Sequence, residues 1–234
     1  MIDGSGSAAD LVRLEALNMS YREGSRTRLI LTGLNAGFGQ GRFSVLLGQS
    51  GSGKSTLLNL IAGLDQPSSG RIWIGDTELT ALSERQRTLF RRRHIGIVFQ
   101  FFNLLPGLSV IENVLLPLQL NGRQAKSERQ AAVSWLSRVG LGDRLDTHPD
   151  RLSGGEMQRV AIVRAMLHDP VLILADEPTG NLDEATAAEI TELLLGLVRE
   201  QNLTLIMVTH NPELAARADA VYEMHEGKLS LTRS

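Results

Sequence analysis

The chain contains no cysteine among its 234 residues, which excludes a disulfide framework, a thiolate metal site and a cysteine nucleophile, and suits a reducing compartment. It also lacks a charge surplus of either sign, with 24 Lys and Arg against 26 Asp and Glu. That near balance argues against a protein that holds nucleic acid by charge alone, and no nucleic-acid partner is expected. Long apolar runs are missing too. The longest, such as Val171–Ala175 and Leu193–Val198, fall far below the roughly 18 residues needed to cross a bilayer, so any membrane role is expected to be peripheral. The stretch Met1–Asp10 is rich in Gly, Ser and Ala but has neither a basic start nor an apolar run. It reads as a disordered tail rather than a signal peptide.

What is there alternates. Val45–Leu47, Val171–Ala175 and Leu203–Val208 are short apolar runs that end in polar or Gly-rich turns, as buried parallel strands do. Between them lie segments of helical periodicity such as Ala185–Glu200, and the chain therefore predicts an α/β fold with ligands gathered at the strand ends. Leu11–Gly41 and Arg71–Thr77 are short β-prone pieces separated by turns, which points to a small antiparallel sheet beside the parallel core. The middle of the chain, with helical stretches such as Ser127–Val139 between Pro- and Gly-marked turns, predicts a helical lobe.

Gly48-Gln49-Ser50-Gly51-Ser52-Gly53-Lys54-Ser55-Thr56 follows one strand candidate and precedes the helical run Leu57–Ile61, the context a P-loop requires. Glycines let successive N–H groups point at phosphate oxygens, and the helix N-terminus adds positive potential. Lys54 reaches the β and γ phosphates, and Ser55 offers a Mg²⁺ ligand. Such a loop alone does not separate ATPases, GTPases and small-molecule kinases. Asp176 and Glu177 end another strand candidate, where Asp176 is placed to hold Mg²⁺ and Glu177 to orient or deprotonate the attacking water. His210, after the third strand, is expected at the same edge against the γ phosphate. Gln100, after the strand-like Ile95–Phe99, is expected to reach Mg²⁺ or water there. His94, His148, His168 and His225 read as surface or structural histidines. No Asn-Lys-x-Asp segment exists to read guanine.

Leu152-Ser153-Gly154-Gly155-Glu156-Met157-Gln158-Arg159 opens a further helical stretch, and its Ser-Gly-Gly turn is a second anion site, or equally an N-capped helix with a Gly turn. A second anion site with no phosphate cradle of its own suits the nucleotide held by another copy of the chain, in a head-to-tail dimer.

In this order of motifs, from about Leu11 to Thr232, the chain resembles the ABC ATPase family. Gly48–Thr56 resembles the Walker A segment, Gln100 the Q-loop, Leu152–Gln158 the signature, Val171–Glu177 Walker B, Asn181-Leu182-Asp183 the D-loop and His210 the switch histidine. The resemblance implies a P-loop NTPase of ABC type, with a parallel-sheet core, an antiparallel β subdomain and a helical subdomain. On that reading a core of about 11–100 and 160–232 flanks a helical lobe of about 101–159. It further implies Tyr21 stacked on adenine, Asp183 near the nucleotide, and two subunits sandwiching two ATP. Each ATP would be held by Walker A of one copy and by Ser153, Gly154 and Gly155 of the other. A groove along roughly Phe101–Asn113 is implied to receive a short helix of an integral membrane permease, at the cytoplasmic face of the bacterial inner membrane.

One departure narrows the choice. Where the wider family often has Ser-Ala before the D-loop Leu-Asp, this chain reads Glu177-Pro178-Thr179-Gly180-Asn181-Leu182-Asp183. With Asn103-Leu104-Leu105-Pro106 and Ile111-Glu112-Asn113-Val114, it looks like the bacterial subgroup that serves lipoprotein release, macrolide export and cell division. The chain also ends soon after His210 without the regulatory domain of some importers. Export or extraction is therefore the expected direction, the alternatives being transmembrane signalling to cell-wall enzymes by the same ATPase cycle, or a soluble ABC ATPase.

Overall fold

The computed structural model describes residues 10–23, 26–123 and 125–234. Residues 1–9, on which most of the expected tail falls, lie outside the described residues, while Asp10 is already in a strand and pairs with Gly39. In chain order the strands are β1 (Asp10–Glu23), β2 (Arg26–Gly39), β3 (Phe43–Leu47), β4 (Ser69–Ile74), β5 (Thr77–Glu78), β6 (Ile95–Phe99), β7 (Leu172–Asp176), β8 (Thr204–Val208), β9 (Ala220–His225) and β10 (Lys228–Arg233). The helices are α1 (Lys54–Ile61), α2 (Glu84–His94), α3 (Val110–Leu120), α4 (Lys126–Arg138), α5 (Gly154–Met166), α6 (Glu184–Glu200) and α7 (Pro212–Arg217). Two compact units result, one reaching Thr88 and including Thr204–Ser234, the other Leu89–Leu203.

The first unit opens with an antiparallel sheet ordered β2-β1-β4-β5. Its two leading strands run 14 residues each, longer and more continuous than the short pieces the sequence predicts. A bulge hides that continuity. Val12 and Leu14 are buried, and so are Leu17 and Met19, so the two-residue alternation slips by one between Leu14 and Leu17. There the pairing register shifts and Ala16 takes φ 45°, the inserted residue of a β-bulge. The same unit contains β3 flanked by two parallel neighbours, β8 and β9, with β10 antiparallel to β9. All five residues of β8 are buried, the continuous apolar pattern of a strand covered on both faces.

In the second unit β6 and β7 pair in parallel, Ile95 with Leu172 through Phe99 with Asp176. The helices start at strong caps. Ser109 and Ser153 each accept from the N–H three residues on, while Glu112 and Glu156 reach back to the cap N–H, completing capping boxes for α3 and α5. Asp183 caps α6 by accepting from Thr186 N at 3.0 Å. Val160, Ala161, Ile162 and Val163 are all fully buried, so α5 is covered on several sides and serves as the central helix of its unit.

Candidate nucleotide-binding site

In the first unit β3 ends at Leu47, and the chain turns through Gly48, Gln49, Ser50, Gly51 and Ser52 to α1. Gly48, Gly51 and Gly53 stand at φ 148°, 79° and 108°, a region that favours glycine. At two of them space is as decisive as angle. A Cβ on Gly48 would collide with the Met224 carbonyl, and one on Gly53 would come within 2.8 Å of Leu31 Cδ2. Gly53 caps α1 without a side-chain acceptor, so no cap side chain competes with an anion at the start of this helix. Lys54 is buried and donates from Nζ to the carbonyls of Gly48 at 2.7 Å and Gln49 at 2.9 Å. Its ammonium is thereby stretched along the loop rather than lying in solvent. Ser55 and Thr56 follow on the first turn.

Two further expected residues belong to this unit. β8 runs parallel to β3, with Leu46 opposite Val208, so His210 emerges beyond the same strand ends as the phosphate loop and is exposed. Tyr21, on β1, has an exposed ring, and its hydroxyl donates to Asp65 Oδ2 at 2.8 Å. Partial burial, reinforced by that carboxylate, raises the phenol pKa above its ordinary value. The hydroxyl is thus anchored and the ring face remains available.

The second unit gathers the other expected residues. Phe99 opposite Asp176 sets Gln100 and Glu177 beyond the same edge of the β6–β7 pair. Glu177 stands at φ 44°, a strained position of the kind that clusters at functional sites. Asn181 Nδ2 donates to the Gln100 carbonyl at 3.0 Å, and Gln100 Nε2 lies 3.4 Å from Asn181 Oδ1, tying Q-loop to D-loop. Asp183, expected near the nucleotide, spends its carboxylate on the α6 cap. The hydrogen bonds from Thr186 hold its pKa below the usual value. Ser153 caps α5, and Gly154 and Gly155 form its first turn. These glycines also serve packing, since a Cβ on Gly155 would lie 2.6 Å from Thr186 Cγ2.

Two residues gain roles that motif order does not assign. Gln158 is fully buried and donates from Nε2 to the Pro178 carbonyl at 2.6 Å, with the Phe99 carbonyl at 3.4 Å. It pins the ends of β6 and β7 to α5. Asn113, also fully buried, accepts from Leu105 N and donates to the carbonyls of Leu105 and Leu108. The signal for both was a lone amide beside an apolar helical run, for which a buried hydrogen-bond role is the economical reading. Within the segment Phe101–Asn113 implied to form the groove, Phe101 is 72% exposed and Leu105 46%, while Phe102 and Leu104 are half-buried.

Comparison with known proteins agrees with this geometry. Residues 31–180 match the family model described as ABC transporter. An uncharacterised ABC transporter ATP-binding protein of Mycobacterium tuberculosis is 50% identical over 94% of this chain and 88% of its own length. The lipoprotein-releasing system ATP-binding protein LolD of Legionella pneumophila is 45% identical over 92% of this chain and 95% of its own. Among solved structures, the ATP-binding cassette MJ0796, a dimer in a post-hydrolysis state bound to ADP and Pi, superposes with a TM-score of 0.86 at 36% identity. That match covers 95% of this chain and 99% of the other. The chain belongs to the ABC transporter family, among its ATP-binding subunits. Its fold is the α/β P-loop fold of ABC type, with mixed sheets and a helical subdomain.

Proposed function

We propose that this chain is the subunit that binds and hydrolyses ATP for a separate membrane permease, working as a head-to-tail dimer around two ATP. The observation that carries the reading is that one chain holds two glycine-bearing helix starts of the kind that suits an anion, the glycine-capped α1 and the Ser153-capped α5, in different units. Ser153 Oγ accepts from Glu156 N at 3.2 Å and its hydroxyl also bonds the Glu156 carboxylate, so the first-turn N–H groups of Gly154 and Gly155 are what this helix start offers a phosphate oxygen. The dimer thus pairs the Gly48–Thr56 loop of one copy with Ser153, Gly154 and Gly155 of a second.

Within each site the loop N–H groups and Lys54 carry the phosphate charge, and Tyr21 offers its ring face to adenine. Glu177 orients or deprotonates the attacking water, and His210 donates toward the γ phosphate. The Ser55 hydroxyl, the Asp176 carboxylate and the Gln100 amide oxygen are hard oxygen donors that fit Mg²⁺. Among the described residues no group of three or more His, Cys, Asp or Glu is placed to hold a metal ion. The ion, when bound, neutralises charge on the phosphates.

Among the described residues no helix is long and apolar enough to cross a membrane, and the exposed Phe101 and Leu105 suit a docked permease segment. The likeness to LolD favours export or extraction of a lipid-linked cargo at the cytoplasmic face of the inner membrane. The test is Glu177→Gln, purified with ATP from native membranes. The expected result is ATP binding without turnover, an ATP-held dimer by light scattering, and a stoichiometric integral membrane protein by mass spectrometry. Wild-type hydrolysis would remove Glu177 from its role, and recovery of soluble proteins alone would remove the permease.

A further inference from the structure

The segment that follows β6 is held in a conformation it would not adopt unaided. Phe102 and Asn103 stand at φ 58° and 50°, two consecutive left-handed residues, and a bulky Phe is rarely found there. The guanidinium of Arg164, on α5, grips both. Nη2 donates to the Phe102 carbonyl at 2.7 Å and Nη1 to the Asn103 carbonyl at 2.5 Å. A planar fork of two donors matches two successive carbonyls in a way that a lysine ammonium cannot. Burial pushes the Arg164 pKa down to about 10, so the group stays charged at neutral pH. Downstream, Asn113 holds Leu105 and Leu108. Upstream stands Gln100, bonded to Asn181 through its own carbonyl and side chain.

We propose that Arg164 is a positioning residue for ATP hydrolysis: by clamping the left-handed Phe102–Asn103 turn to α5, it fixes the path of the chain out of β6 and so the direction in which Gln100 presents its amide. The inference rests on the role given to Gln100 above. Gln158 anchors the preceding Phe99 carbonyl from the same helix, so α5, whose first turn is the signature, grips the chain on both sides of Gln100. Among the described residues the side chains of Arg164 and Gln158 hydrogen-bond backbone carbonyls, and neither needs to meet nucleotide.

The test uses the full chain with Arg164→Met, which keeps the stem and removes the fork, in wild-type and Gln100→Ala backgrounds. Hydrogen exchange across residues 101–105 is expected to speed up by about tenfold or more as the turn opens locally. In the wild-type background kcat is expected to fall about tenfold with KM for ATP within about twofold, and in Gln100→Ala the same change is expected to alter kcat by less than about twofold, because both act through one group. Should Arg164→Met not fold, Arg164→Lys carries the same comparison. Unchanged exchange across 101–105, or an equal fold-loss of kcat in both backgrounds, overturns the proposal. Normal turnover in Gln100→Ala alone would instead remove Gln100 from the proposed function, a separate failure, and the exchange result would then decide for Arg164.

Discussion

At Gly155 one absent methyl group sets how closely α5 approaches α6, because the nearest atom to its missing Cβ is Thr186 Cγ2 at 2.6 Å. Gly155→Ala is expected to overpack this contact and destabilise the fold by about 1–3 kcal/mol, visible as a lower midpoint in thermal unfolding. Thr186→Ser removes the opposing methyl and is expected to restore the midpoint. Restored stability without restored ATP-driven dimerisation would show that Gly155 serves the anion site as well as the packing. At Tyr21 the two halves of the side chain have separate tasks. Tyr21→Phe loses the bond to Asp65 yet keeps the ring and is expected to leave ATP affinity within about threefold, whereas Tyr21→Ala loses stacking of about 1–3 kcal/mol, roughly tenfold in Kd. Titration calorimetry on both variants checks the assignment, and equal effects would make the hydroxyl the important group.

At the scale of elements, α3 and α5 begin with the same device, a serine cap closed by a glutamate three residues on. The N–H and hydroxyl of Ser109 lower the Glu112 pKa, and those of Ser153 lower that of Glu156, against a smaller opposing effect of burial. A carboxyl whose folded pKa is depressed contributes stability that is fully present above its unfolded value and lost as pH falls through the folded one. Both boxes are therefore intact at neutral pH and weaken only below the ordinary carboxylate range. Ser109→Ala is expected to cost about 1 kcal/mol at neutral pH, and the difference from wild type should shrink on acidification past that range. A difference independent of pH would mean that the bond from the Ser109 hydroxyl to the Glu112 carboxylate contributes nothing.

At the scale of the whole molecule, the proposed dimer makes a prediction that no single variant can. Lys54→Ala disables the phosphate loop, while Ser153→Asp keeps a good helix cap but sets a negative charge where phosphate should bind. Each alone is expected to be inactive. Mixed in equal amounts, half of the dimers carry one of each chain, and in these both defects fall in one composite site and leave the other intact. Activity is expected to return to about a quarter of wild type if symmetric sites act independently. Failure to complement, with dimers still forming, would sink the shared-site arrangement.

The phosphate loop, the carboxylate pair at Asp176 and Glu177 and the Ser-Gly-Gly turn were legible in the sequence because each is contiguous. An anion cradle needs neighbouring N–H groups, and its glycines, hydroxyls and cations must sit at fixed short spacings along one strand–loop–helix passage. The strands behind them were legible because burial on both faces requires unbroken apolar runs. The long β1–β2 ribbon was not, since a bulge at Ala16 breaks the alternation by which a strand is recognised. Nor were the ties that aim the site. Arg164 meets carbonyls 62 and 61 positions away, and Asn181 meets Gln100 across 81. Hydrogen bonds between side chains and distant backbone carry no spacing rule, so the sequence by itself determined which chemistry this chain contains, and only the tertiary structure decided which residues hold that chemistry in place.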